Sequence, residues 1–168
     1  MDNLAISVRR ATPDDADTLA DLVNEAYAIE ESFVHGDRTT PGEVAEMTRD
    51  GVFLVLEQAG GLAAAIYLER RGAAVYFGML SVRPALQGMG LGKRLVRIAE
   101  AMGEAMGATE MTLRIVNLRE ELGRWYRSLG YREVGVAPFD RRSVKRPCHF
   151  VEMHKYLGVQ LEAVAGAA

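Results

Sequence analysis

Apolar and polar positions along this chain change rhythm many times, and each change marks an element. Ile6-Ser7-Val8-Arg9 alternates apolar and polar, which predicts a first strand. Thr12-Pro13-Asp14-Asp15 then supplies an N-cap, a proline at the first helical position and acidic residues in the first turn. Ala16, Leu19, Ala20, Val23, Ala26 and Tyr27 follow at helical spacing, so the helix is amphipathic. Glu30 to Thr40 is polar and irregular and reads as a loop. Thr40-Pro41 opens a short second helix that runs to Arg49. Val52 to Glu57 and Leu62 to Glu69 are two strands joined around Ala59-Gly60-Gly61, a hairpin signal.

Ala74 to Val82 is an apolar run that reads as a buried strand. Leu91, Leu95, Ile98, Ala99, Met102 and Met106 form the stripe of a long helix, and Met111 to Val116 is the next strand. Leu118, Leu122, Trp125, Tyr126 and Leu129 stripe a further helix, which Gly130 should end. Tyr131 to Val136 and Cys148 to Tyr156 close the chain as strands, and residues 159–168 are expected to fray. The order β-α-α-β-β-β-α-β-α-β-β implies an α+β domain spanning residues 1–168. It is a mixed, mostly antiparallel sheet of about seven strands layered between about four helices. Strands 74–82 and 110–116, joined by helix 90–107, should form a parallel pair.

Composition adds limits. The 168 residues are 49% hydrophobic and 26% charged, enough for an ordinary core. The net charge of −3 lacks the basic excess of a nucleic-acid surface, so no nucleic-acid partner is expected. The basic run Arg141 to Arg146 reads as a solvated loop. A single cysteine, Cys148, excludes an internal disulfide, and the N-terminus shows no signal peptide, so a cytoplasmic location is expected. No apolar run nears the ~20 residues of a membrane helix. His35, His149, His154 and Cys148 have no zinc spacing, and no metal is expected.

The chemistry gathers at Gln87-Gly88-Met89-Gly90-Leu91-Gly92-Lys93, a glycine turn between a strand and a helix. Glycines at alternate positions let backbone approach a bulky anion, and the helix start offers unpaired N–H groups. That suits a phosphate or pyrophosphate. The Walker A pattern fails, because Gln87 stands where its first glycine belongs and Arg94 where its hydroxyl belongs. The dinucleotide fingerprint fails at its third glycine. Gln-x-x-Gly-x-Gly fits, with Gln87, Gly90 and Gly92. This resembles the coenzyme A pyrophosphate loop of the GNAT superfamily of acetyl-CoA-dependent N-acyltransferases, and the element order resembles that family along the whole chain.

The resemblance implies a GNAT-like fold in which the parallel strands splay and acetyl-CoA lies between them. It places the pyrophosphate on Gln87, Gly88, Met89, Gly90, Leu91, Gly92 and Lys93, and the pantetheine arm along Leu80, Ser81 and Val82. Gly78 is a candidate bulge in that strand. The segment Asn117 to Tyr131 is similar to a second family segment, in which an Asn ends the strand and a Tyr precedes a Leu-Gly-aromatic stop. This marks Asn117 as a cofactor contact and Tyr126 as both cofactor contact and catalytic residue near the departing sulfur. A phenol near pKa ~10 cannot readily protonate a thiolate near ~8.5; full transfer is uphill by about 2 kcal/mol. A hydrogen bond from Tyr126, or a phenol acidified by its site, fits better.

For the acceptor, Tyr27, Glu31 and Tyr76 are the substrate candidates, with Phe33, Arg38 and Tyr67 as further lining. Glu30, Glu31, His35 and Glu69 are the titratable groups near the expected cleft, each also readable as a surface residue. The implied activity is transfer of an acetyl group to a primary amine of a small molecule or protein, by direct attack in a ternary complex. A non-catalytic acyl-CoA sensor on the same fold is the alternative. Strand 148–156, read as an edge, is the expected route to a homodimer.

Overall fold

A computed structural model describes residues 5–158; the tail at 159–168 lies outside the described residues. Seven strands form one sheet: β1 Ser7–Arg10, β2 Val52–Gln58, β3 Gly61–Arg71, β4 Ala74–Val82, β5 Glu110–Val116, β6 Arg132–Pro138 and β7 His149–Tyr156. The helices are α1 Ala16–Ala26, α2 Pro41–Asp50, α3 Leu91–Ala105 and α4 Glu120–Ser128. The sheet order is β1-β2-β3-β4-β5-β7-β6, antiparallel except for β4 beside β5. The mixed fold expected from the element order is present.

Both faces of the sheet are covered, so the central strands read as near-continuous apolar runs. Leu54, Leu56, Ile66, Val75 and Phe77 face α3 and α4, where Leu91, Leu95, Val96 and Tyr126 meet them. Phe53, Val55, Ala65, Tyr67 and Tyr76 face α1 and α2 through Leu19, Val23 and Val44. Each large side chain buried in these layers contributes roughly 1.5–3 kcal/mol against exposure.

Local chemistry sets the boundaries. The Thr40 hydroxyl accepts from Glu43 N–H at 3.2 Å, and Glu43 carboxylate accepts from Thr40 N–H at 3.1 Å, a reciprocal cap with Pro41 behind it. At Thr12 the proline starts only a 3-10 turn, Pro13–Asp15, before α1 begins. Asp15 is drawn back to Thr12 N–H at 2.7 Å and to Arg9 at 2.8 Å, which tightens that turn. The segment read as an irregular loop begins inside a 3-10 turn, Ala28–Ser32, and buries Glu30, Phe33, Val34 and Thr39.

Strand β7 is not an edge. It lies between β5 and β6, because β6 folds back onto its outer side. The edges are β1 and β6, and β6 exposes Val134 and Val136.

The opening in the sheet comes from β4. It pairs with β5 only at Ala74↔Glu110, Val75↔Met111 and Tyr76↔Thr112. Against β3 its register slips between Tyr67↔Gly78 and Ala65↔Ser81, so Met79 and Leu80 together oppose Ile66. Met79 takes the left-handed φ of +52° that accompanies this extra residue. The bulge expected at Gly78 therefore sits one step further along. It bends β4 away from β5 just beyond their last shared rung.

Candidate active site

The cleft begins where the strands part. Phe77, Gly78, Met79 and Leu80 line one side; Leu113, Ile115 and Val116 of β5 line the other. Beyond Tyr76 the β5-facing edge of β4 has no strand partner, so its backbone amides are open to a ligand. Of the residues expected along this edge, Leu80 lines the cleft, while Ser81 is buried with its hydroxyl donating to Met79 carbonyl at 2.9 Å. Only the backbone of Ser81 is left for a ligand. Val82 closes the strand, and Gln87 amide donates to its carbonyl at 3.3 Å.

A short 3-10 turn, Pro84–Leu86, leads from β4 into the glycine turn. Gly88 and Gly90 both have φ of +80°, and a Cβ built on either meets nothing within 4 Å. The backbone is thus exposed on both, in a conformation other residues enter at a cost. Arg94 N–H is the first to bond within α3, reaching Gly90 carbonyl at 3.0 Å. The N–H groups of Leu91, Gly92 and Lys93 lie before it and have no helical acceptor. Met89 is exposed at the tip, Leu91 is anchored in the core, and a Cβ added to Gly92 would lie 3.6 Å from Trp125. Lys93 is exposed on the helix.

Tyr126 closes the cleft from α4. Gly130, at φ +97°, ends that helix, and Tyr131 N–H returns to Tyr126 carbonyl at 3.1 Å. The Tyr126 ring is wedged between Phe77, Trp125 and Tyr131, with centroids 4.8–5.9 Å away. Its hydroxyl makes no hydrogen bond among the described residues, and the residue lines the cleft. Burial pushes the phenol well above its ordinary pKa, and neighbouring Tyr27 and Tyr76 push it further. The site does not acidify Tyr126.

Tyr27 and Tyr76 line the same cleft; Glu31 does not. Glu31 is exposed, and its neighbour Glu30 points inward instead. Asn117 turns away: its side-chain oxygen accepts from His149 N–H at 2.8 Å and ties the end of β5 to β7.

A second cavity of about 420 Å³ adjoins the cleft. Arg38, Tyr76, Gly78 and Met79 line both spaces and form the junction between them. A Cβ at Gly78 would lie 2.8 Å from the Tyr76 hydroxyl, so glycine there makes room for that side chain. The face of α2 carrying Glu43, Glu46 and Asp50 forms an acidic wall. Glu69 is paired to Arg71 at 3.0 Å and accepts from Tyr67 hydroxyl at 3.1 Å. The Arg71 hydrogen bond holds its carboxyl below the usual range, which weakens it as a base. His35 is exposed and lines neither space.

The basic run at 141–146 is not merely a solvated loop. Val144 bridges Val34, His35 N–H reaches Ser143 carbonyl at 3.0 Å, and Lys145 N–H reaches Phe33 carbonyl at 2.8 Å. This brings Arg142 to Glu30 at 3.1 Å, while Arg119 meets the same carboxylate at 3.3 Å. Arg142 belongs to the basic run but was read there as solvated, and nothing in the sequence marked Arg119 or the pairing of either with Glu30. Their pairing with Glu30 spans about a hundred residues and leaves no local spacing to read.

Among the described residues, no group of three or more His, Cys, Asp or Glu side chains is placed to hold a metal ion. No described helix is long and apolar enough to cross a membrane.

With the geometry in place, comparison defines the class. Residues 49–133 match the acetyltransferase (GNAT) domain, and the chain belongs to that family. The match runs from the end of α2 to the start of β6 and so contains the glycine turn, the splay and Tyr126. Among solved structures, the chain is similar to the ribosomal-protein-S18-alanine N-acetyltransferase from Escherichia coli, with a TM-score of 0.77 and 16% identity over 94% of this chain and 99% of that one. It is also similar to yncA from Salmonella typhimurium, solved with its cofactor acetyl-CoA, with a TM-score of 0.73 and 20% identity over 94% and 96%. An IAA acetyltransferase from Bacillus cereus gives 0.69 and 18% over 91% and 100%. No curated protein matches the chain by sequence.

Proposed function

We propose that this protein is an acetyl-CoA-dependent N-acetyltransferase that modifies a primary amine by direct attack in a ternary complex. One observation carries the reading. The unpaired edge of β4 links the glycine turn to the Tyr126 cleft, and that cleft opens at Arg38, Tyr76, Gly78 and Met79 onto a separate cavity. A donor and an acceptor can thus approach one point from opposite ends.

The residues fit such a donor. Gly88 and Gly90 leave the turn open where any side chain would project, and the start of α3 offers free N–H groups to a pyrophosphate. Lys93 adds a nearby positive charge. The β4 edge from Leu80 to Val82 would pair with the amides of the pantetheine arm. When bound, acetyl-CoA supplies an acetyl group activated as a thioester.

The chain's own groups do the rest. The β4 backbone near Met79 to Ser81 has no strand partner on its β5 side, and an N–H there would stabilise an oxyanion. Tyr126 keeps its proton and would donate a hydrogen bond to the departing sulfur of the thioester. Its raised pKa makes outright proton transfer to a thiolate still more uphill. Glu30 and Glu69 are each locked in ion pairs, so water in the acceptor cavity is the better route for the amine proton. Burial pushes the Cys148 thiol up, and that residue packs beside Phe33 and Phe150, which argues against a covalent acyl-enzyme.

Calorimetric titration with acetyl-CoA, with NAD and ATP as controls, tests the donor. Micromolar binding of acetyl-CoA alone supports the assignment. Turnover of an amine panel then separates an enzyme from a sensor, and binding without any turnover would favour the sensor.

A further inference from the structure

The acceptor cavity sorts its charges. Glu43, Glu46 and Asp50 stand together on α2, while Arg38, Arg141 and Arg142 come from two loops. Glu43 is engaged in the helix cap and Arg142 in its pair with Glu30.

The basic side is short of carboxylates: neither Arg38 nor Arg141 makes an ion pair among the described residues. Glu30, almost fully buried, serves both Arg119 and Arg142, and Glu121 also pairs with Arg119. Arg38 makes no ion pair or hydrogen bond among the described residues; its guanidinium lies 5.2 Å from the Tyr27 ring centroid. Arg142 is itself underserved, since its Nε is buried without a partner. Burial, and then the like charge of Arg38, disfavour the Arg142 cation. A guanidinium left without a counterion beside another is a poor arrangement for an empty cavity. It is a good one for an anion that arrives with the substrate.

Position narrows the ligand. Arg38 lines both the cleft and the cavity, so an anion on Arg38 sits at the junction where the amine must be presented. In an α-amino acid the carboxylate and the amine are attached to the same carbon. We infer that the acceptor is a free α-amino acid whose carboxylate binds Arg38, with Arg142 behind it, so that its amine is delivered at Gly78 and Met79. This rests on the transferase reading above.

The test is a thiol-release assay on a panel of α-amino acids, each beside its own α-carboxamide. A charge-assisted bond to one guanidinium predicts a preference in kcat/KM of about tenfold or more for the acid. Arg38→Gln should bring acid and amide close to parity, through a higher KM for the acid. Arg38→Lys should retain part of the preference. Acetyl-CoA affinity, measured by calorimetry, should be unchanged in both variants, which also shows that they fold. Equal use of acids and amides by the unaltered protein overturns the inference. So does a protein that binds acetyl-CoA yet neither acetylates nor binds any free amino acid, an outcome that leaves the donor assignment standing. Failure to bind acetyl-CoA takes down both.

Discussion

Tyr76 and Thr112 form the last rung between β4 and β5, and the cleft opens at that rung. Up to that rung a parallel pair holds the sheet together. Beyond it the Met79–Leu80 bulge turns one strand aside, and the freed backbone edge becomes binding surface. Tyr76 also faces the α1/α2 layer, so the residue that ends the pairing is a wall of the acceptor junction.

Tyr126→Phe is expected to separate chemistry from binding. The ring contacts with Phe77, Trp125 and Tyr131 survive the change, and the hydroxyl has no partner within the described chain to lose. Stability should hold within about 0.5 kcal/mol. If the hydroxyl stabilises the leaving sulfur, kcat should fall about a hundredfold with acetyl-CoA affinity kept. Steady-state kinetics beside calorimetry decide it, and full activity would remove Tyr126 from the mechanism.

Gly90→Glu should abolish binding of acetyl-CoA. The new side chain would project into open space from a φ of +80°, so packing is spared. The left-handed backbone adds strain of about 1–2 kcal/mol. The carboxylate would stand where the pyrophosphate is placed, repelling it. Titration at constant ionic strength reads the loss; unchanged affinity would overturn the loop assignment.

How far the sequence reached depended on the range of each cause. The β4 and β5 boundaries, the Thr40 cap and the Gly130 stop were legible because each is set by a few adjacent residues. Gly88 and Gly90 declared the turn for the same reason. Glu31 was named as a substrate candidate and Glu30 only as a titratable group, yet Glu30 is the one that points inward, since only the path of the chain decides between two neighbours. Asn117 was expected at the cofactor; the side-chain oxygen it would use is engaged by His149 N–H, a partner that no local pattern announces. The bulge lies at Met79 rather than Gly78, because register against Ile66 places it there.

Glu30→Ala should destabilise the fold strongly. It would leave Arg119 and Arg142 facing each other, with both side chains at least 86% buried and their shared carboxylate gone. Removing one partner of a buried ion pair costs about 3–5 kcal/mol. Urea denaturation measures this. A loss below about 1 kcal/mol would mean that water already shares the site with Glu30.

The first turn should respond to acid. Arg9 donates to Asp15 at 2.8 and 2.9 Å and to Glu57 at 3.1 Å, joining β1, the start of α1 and β2. The Arg9 hydrogen bond holds the Asp15 carboxyl down to about 2, whereas an unfolded Asp titrates near ~3.9. Between those values the unfolded chain binds more protons than the folded one, so stability rises with pH. The contribution is complete above about pH 5 and is lost as pH falls toward 2. The full shift corresponds to about 2.5 kcal/mol. Since Arg9 is 34% exposed, screening should reduce this to about 1 kcal/mol. Asp15→Asn should therefore be less stable than the natural chain by about that amount at pH 6 and nearly equal to it at pH 2. Urea midpoints of both proteins across this range provide the check, and an equal deficit at both ends would show that Asp15 acts through its shape rather than its charge.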